Sequence, residues 1–292
     1  MRQWRWIGLL AVIIGVAVAV YLLKPVAGPA RDLTLLGDAE HGAYVLRLAG
    51  CISCHTDSKN GGAMLAGGAP LATPFGSFVP PNITPDPVAG IGNWTVAEFA
   101  AALSDGMGPQ GHLYPSFPYD NYTLMSDRDV VDLFAALKQV PPVATPAASH
   151  AVIFPFSIRL ANLAWKNLFF TPERFLPDPA RSDRWNRGAY LANGPGHCSA
   201  CHTPRNIFGA RDDSQAFAGA RGGPGGNSAT LTPEALTRKE YDIAALADTL
   251  SSGFTPGFDI LGGAMGEEIR DSTSHWTLED REAIAAYLLD QD

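Results

Sequence analysis

The first hydrophobic pattern along the chain is continuous rather than periodic: Trp6 to Leu23 is a run of 18 residues without a charge. As a helix it extends for about 27 Å at 1.5 Å per residue, close to a hydrocarbon core ~30 Å thick. Arg2 and Arg5 precede it and hold the short N-terminus on the cytoplasmic side. Trp4, Trp6 and Tyr21 stand near its two ends, where aromatic side chains favour the membrane interface. The pattern predicts an N-terminal transmembrane anchor within residues 1–30. The competing reading is a cleavable signal peptide, whose apolar region is usually only about 7–15 residues; Val26-Ala27-Gly28 offers it a fair cleavage site. Both readings send the chain from about residue 30 onward out of the cytoplasm.

After this run the pattern turns helical, and it occurs twice. Gly42-Ala43-Tyr44 leads to Cys51-Ile52-Ser53-Cys54-His55-Thr56, and Gly188-Ala189-Tyr190 leads to Cys198-Ser199-Ala200-Cys201-His202-Thr203. Residues 94–107 match 241–254 without a gap, and Leu103, Ser104 and Gly106 fall on Leu250, Ser251 and Gly253. Each of these segments reads as an amphipathic helix ended by its glycine. A closing helix follows in each copy, opened by Ser126 or Thr277 with Asp three residues later, a capping box with Asp for the preferred Glu. Val130, Leu133, Phe134 and Leu137 in the first, and Ile284, Tyr287 and Leu288 in the second, have helical spacing and read as core.

Gly/Pro-rich loops, 61–92 and 209–230, separate these helices, and no run alternates with period 2, so little sheet is expected. The prediction is a mainly α fold: one copy over 35–140, a second over 181–292, and a Pro- and aromatic-rich strap over 141–180. The strap holds Phe154, Phe156, Trp165, Phe169, Phe170 and Phe175, apolar enough to pack on both copies, with a short helix at about 157–168.

Composition agrees. Thirty glycines and 23 prolines suit a loop-rich but folded chain, and a net charge of −8 argues against nucleic-acid partners.

The chain has four cysteines, and all four lie in the two C-x-x-C-H motifs. This spacing is the attachment signature of c-type haem. Two thiols on one helical turn can add across the two vinyl groups of a porphyrin, and the adjacent His is then placed to bind the iron. Structural disulfides need no His after each pair. A zinc ribbon sets its two pairs roughly 15–20 residues apart, whereas Cys54 and Cys198 are 144 apart. A thioredoxin-like pair needs a βαβ context that the sequence lacks. Two covalent haems are therefore expected, on Cys51 and Cys54 and on Cys198 and Cys201, with His55 and His202 as proximal ligands. His41, His112, His150, His197 and His275 default to surface or capping roles, with His197 near a haem edge.

Such irons commonly take a Met opposite the His. In the second copy the loop from Gly253 to Thr277 holds one, Met265, among small residues that let the backbone approach a haem face. In the first copy the loop from Gly106 to Ser126 has no central Met. Met125, before the cap Ser126, is the leading candidate; Met107, His112 or an open iron are the others, and Met64 lies in the wrong loop.

Cys51–His55, Thr73-Pro74-Phe75-Gly76, Asn82-Ile83-Thr84-Pro85-Asp86, Gly90-Ile91-Gly92-Asn93-Trp94 and His112-Leu113-Tyr114-Pro115 together resemble the membrane-associated multihaem cytochrome c subunits of bacterial alcohol, gluconate and related sugar dehydrogenases. The resemblance runs from about residue 35 to the C-terminus and is strongest over 40–140. It implies two tandem class I cytochrome c-like domains, with 73–94 lining the first haem pocket. It also implies a periplasmic carrier that accepts electrons from a dehydrogenase and delivers them to quinone, another cytochrome or a terminal oxidase. Two departures stand out. The well-known subunits carry three haems where this chain has two motifs, and they have Met where this chain has Phe117.

The expected function is electron transfer by a dihaem protein anchored in the bacterial inner membrane. The alternative is a haem enzyme, a peroxidase or a thiosulfate-type oxidoreductase, with an open first iron; Phe117 is the feature that favours it. Gly8, Ala11, Gly15 and Ala19 recur at helix-packing spacing, which suits assembly with other membrane helices. The acidic surface suits a basic docking patch on a redox partner.

Overall fold

The computed structural model describes residues 2–146, 148–223 and 226–292; Met1 of the anchor segment, Ala147 of the strap and Pro224-Gly225 of the second loop lie outside them. About 46% of the chain is helical. The uncharged run folds as α1 (Arg2–Leu22), and its 20 residues Gln3–Leu22 are unburied by the rest of the protein. That is long and apolar enough for an anchor or a signal sequence.

The first copy consists of α2 (Ala39–Leu48), α3 (Cys51–His55), α4 (Val96–Asp105), α5 (Tyr119–Tyr122) and α6 (Asp127–Leu137). The strap carries α7 (Arg159–Phe169). The second copy consists of α8 (Asp183–Asn193), α9 (Cys198–His202), α10 (Pro233–Arg238), α11 (Ile243–Ser252), α12 (Gly263–Asp271) and α13 (Leu278–Leu288). Sheet is confined to short antiparallel pieces. In the first, β1 (Leu71–Thr73) pairs with β2 (Gly76–Phe78), which also pairs with β5 (Ala151–Val152) from the strap. The other antiparallel pairs among the described residues are β3 (Met107–Gly108) with β4 (Gly111–His112) and β6 (Ala220–Gly223) with β7 (Gly226–Ser228).

The middle helices begin and end where their sequence directs. Thr95 and Glu98 form a reciprocal capping box on α4, Asp242 caps α11, and Gly106 and Gly253 end the two helices in left-handed conformations, φ 60° and 80°. In each copy the opening and closing helices cross so closely that only glycine fits. A Cβ on Gly42 would lie 1.8 Å from the Asp132 carbonyl oxygen, and one on Gly188 would lie 1.9 Å from that of Ala283.

The closing helices depart from their predicted caps. Ser126 Oγ accepts from Asp129 N and Thr277 Oγ from Asp280 N, but neither Asp returns the bond to its cap. The shorter carboxylates are instead taken by tyrosines of the opposite copy. Tyr44 donates to Asp280 and accepts from the Thr277 N–H; Tyr190 donates to Asp129 and accepts from the Ser126 N–H. Tyr44 and Tyr190 occupy the same place in the repeat, as do Asp280 and Asp129. The two copies therefore pack through an internal pseudo-twofold contact.

Each copy centres a core, and the second also takes in Leu48 from α2 of the first. Val45, Leu65, Phe99, Leu103, Met125 and Leu133 centre the first; Leu191, Phe217, Leu236, Leu250, Trp276 and Ile284 centre the second. The first core also takes in residues upstream of 35. Leu33 packs against it, and the Arg31 guanidinium donates to the carbonyls of Met125 and Thr123 at 2.8 Å each. The strap touches both copies: Asn82 Nδ2 bonds the Val143 carbonyl at 2.7 Å, and the ring of Phe175 meets that of Tyr190 at 5.3 Å.

Candidate functional site

The two C-x-x-C-H segments form the single turns α3 and α9, each entered through a left-handed residue, Gly50 (φ 58°) and His197 (φ 39°). The turn sets both thiols of a pair on one side. Burial and the nearby Glu268 carboxylate push the thiols of Cys51, Cys54 and Cys198 up to about 12, and Cys201 is raised as well. An environment that disfavours thiolates suits a neutral thioether.

Both histidines are held the same way. His55 Nδ1 lies 2.7 Å from the Pro81 carbonyl oxygen, and His202 Nδ1 lies 2.7 Å from that of Ala229. A carbonyl only accepts, so Nδ1 carries the proton and Nε2 keeps a lone pair, the tautomer that a metal requires. Burial holds both imidazoles below their ordinary pKa, which keeps them neutral.

The carbonyls are delivered by loops that repeat, although their sequences conceal it. Thr56 Oγ1 accepts from Leu65 N at 3.0 Å, and Thr203 Oγ1 from Phe217 N at 3.1 Å. Leu65 and Phe217 are both left-handed non-glycine residues, φ 61° and 60°. Gly67 N then bonds the His55 carbonyl, Gly219 N that of His202, and Ile83 and Leu231 donate back to the Leu65 and Phe217 carbonyls.

Met125 is fully buried in the first core, the cluster that Cys51 and Phe117 also border. Met265 is half-buried against the second core, which Cys198 also borders. Met265 stands in the first turn of α12, a helix inside what the sequence presents as loop, because Gly262, Gly263 and Gly266 disguise its start. Met107 and His112 face each other across the β3–β4 hairpin, outside that cluster, and Met64 is largely exposed. Three other histidines have partners: His41 bonds Asp132, His150 accepts from Val79 N, and the His197 ring packs on Tyr122.

The two motifs meet across the interface. Ser53 Oγ, inside the first, donates to Glu268 of α12 at 2.7 Å. Ser199 Oγ, inside the second, accepts from Asn121 Nδ2 of α5 at 2.8 Å. A Cβ on Gly50 would sit 3.0 Å from both Glu268 and His197. Neither Glu268 nor Asn121 carries a motif that the sequence alone could flag. The threonine after each C-x-x-C-H was visible, without its role.

The donor set fits covalent haem: two half-buried thiols on one turn, an imidazole oriented through Nδ1, and a thioether at the same apolar cluster. Among the described residues, no group of three or more His, Cys, Asp or Glu is arranged to hold a bare metal ion.

No family model matches the chain. Curated proteins do. It is 41% identical to a diheme cytochrome c-type protein of Cereibacter sphaeroides over 99% of this chain and 98% of that one. It is 35% identical to the cytochrome c subunit of alcohol dehydrogenase (quinone) of Gluconacetobacter polyoxogenes, over 85% of this chain and 55% of the relative. It is 35% identical to the fructose dehydrogenase cytochrome subunit of Gluconobacter japonicus, over 85% and 51%. The chain thus spans nearly all of the first relative and about half of each dehydrogenase subunit.

Proposed function

Since the chain belongs to a family of c-type cytochromes that includes a diheme protein and the cytochrome subunits of alcohol, fructose and gluconate dehydrogenases, we propose that it is a membrane-anchored electron carrier of the bacterial periplasm. In this reading residues 35–140 and 181–292 are two class I cytochrome c domains. Cys51 and Cys54 would hold one haem c and Cys198 and Cys201 the other, with His55 and Met125 as the iron ligands of the first and His202 and Met265 as those of the second. When bound, each haem supplies a reversible one-electron change at iron.

The chain's own residues do the rest. The Pro81 and Ala229 carbonyls fix each imidazole. The two cores exclude water, and the Ser53–Glu268 and Asn121–Ser199 bonds tie each attachment turn to a helix of the opposite copy. Electrons enter from a dehydrogenase and leave to a cytochrome, a quinone or a terminal oxidase. The relatives named for dehydrogenases are the cytochrome subunits of those enzymes, so this chain is the carrier and the substrate chemistry belongs to its partner.

The observation that carries the reading is the duplicated His–carbonyl geometry behind two C-x-x-C-H turns that share one interface. Mass spectrometry of the protein purified from a haem-maturing host tests it. A gain of two haems, lost in two steps from Cys51→Ala/Cys54→Ala and Cys198→Ala/Cys201→Ala variants, is expected; one haem or none overturns it.

A further inference from the structure

Helix α7 is built inside out. Its buried side carries Asn162, Lys166 and Asn167 with a single leucine, Leu163, while Leu160, Leu168 and Phe169 face outward. Lys166 Nζ and Asn167 Nδ2 find their acceptors within the protein. Lys166 Nζ donates to the Asp105 and Gly106 carbonyls at 2.7 and 3.2 Å, and Asn167 Nδ2 donates to the carbonyls of Leu22 and Lys24 at 3.1 and 3.0 Å. A helix that hides its amides and ammonium and shows leucine and phenylalanine is not shaped for water. The apolar face continues sideways. The Phe208 ring stacks on Phe169 with centroids 5.8 Å apart, and the neighbouring Ile207 is 85% exposed.

The position of this face identifies its occupant. Asn167 is fastened to the last turn of α1, for the Tyr21 hydroxyl also donates to the Asn167 carbonyl at 2.9 Å. Leu168 is the next residue, with its Cα about 3.8 Å further on. Tyr21 and Lys24 are end-of-span residues of the kind that settle at lipid head groups. Whatever surrounds the end of α1 therefore surrounds the exposed face of α7.

We propose that α7 and the Ile207-Phe208 tip lie on the bilayer surface as a second, in-plane membrane contact, so that the anchor does not swing freely but seats the haem-bearing part against the lipid. This rests on α1 being a retained anchor.

The test uses the haem-loaded, full-length protein in phosphatidylcholine vesicles, with single added cysteines and a charged, membrane-impermeant maleimide. Leu160→Cys and Leu168→Cys are expected to react at least tenfold more slowly than Val88→Cys, a position 93% exposed. Rates equal to that of Val88→Cys overturn the inference. Val12→Cys, inside α1, separates this from the premise. If it reacts rapidly, the anchor reading fails; if it is protected while Leu168→Cys reacts rapidly, only the in-plane contact fails. Rapid labelling of Leu168→Cys in lipid vesicles but slow labelling in membranes containing other subunits assigns the face to a protein and also overturns the inference.

Discussion

Ser53 Oγ and Glu268 Oε2 are 2.7 Å apart, one inside the first C-x-x-C-H turn and the other on a helix of the second copy. The same carboxylate acts on all four cysteines, raising the thiol pKa of each. A negative charge shared by two haem sites stabilises the oxidised iron at both. Glu268→Gln should therefore raise both midpoint potentials, by an energy on the order of 1 kcal/mol, that of unit charges roughly 15 Å apart at an effective dielectric near 20. A haem-resolved redox titration reads this directly. Movement of one haem alone would show that the charge is not shared.

The two thioethers give a separable prediction. Met265→Ala should lower the potential of one haem and let the reduced iron bind carbon monoxide, and Met125→Ala should do the same to the other. Because Met125 is fully buried, its removal also costs about 2–5 kcal/mol of stability. If the first haem of the unaltered protein already binds carbon monoxide stoichiometrically, Met125 is not its ligand and the haem-enzyme reading gains ground.

Tyr44→Phe and Tyr190→Phe should each weaken the contact between the copies by about 1.5–3 kcal/mol, the usual worth of a hydrogen bond to a charged group. A pH signature accompanies the first. Burial raises the Asp280 carboxyl, but its bonds to Arg187 and Tyr44 outweigh that and leave it below the ordinary carboxylate value. A depressed folded-state value stabilises the protein above the unfolded pKa near 4, and that stability disappears as pH falls through the folded value. Acid melting curves should show the Tyr44→Phe variant losing less stability than the parent over this range.

Lys166 predicts a slope of the same sign at alkaline pH. Burial lowers its ammonium pKa to about 8. Between that value and roughly 10.4, where an unfolded lysine titrates, the unfolded chain binds more protons than the folded one, so stability rises with pH. Thermal melts of the parent and of Lys166→Met from pH 7 to 10 should diverge in this sense; parallel curves would show that Lys166 titrates normally.

What could be read from the sequence was whatever chemistry writes locally. C-x-x-C-H is a contiguous motif, Thr95 with Glu98 is a contiguous box, and the glycines that end α4 and α11 follow helical runs. What could not be read depends on distance along the chain. Thr56 reaches Leu65 over 9 residues and Thr203 reaches Phe217 over 14, so equal contacts lie at unequal spacings and the loop repeat is invisible in a gapless match. Tyr44 and Tyr190 were visible as repeat markers, but their partners lie 236 and 61 residues away. Asp129 and Asp280 resembled cap residues because a cap and a cross-copy acceptor demand the same side chain.

The reciprocal tyrosine–aspartate contact also bears on dilution. It has the form of a symmetric dimer interface, in which each partner offers the other the same patch. Two separate chains would assemble it only at sufficient concentration. Tethered by the strap, one copy sees the other at an effective concentration of order millimolar. The pairing of the two redox centres is then a property of each single molecule, independent of how sparsely the protein populates its membrane.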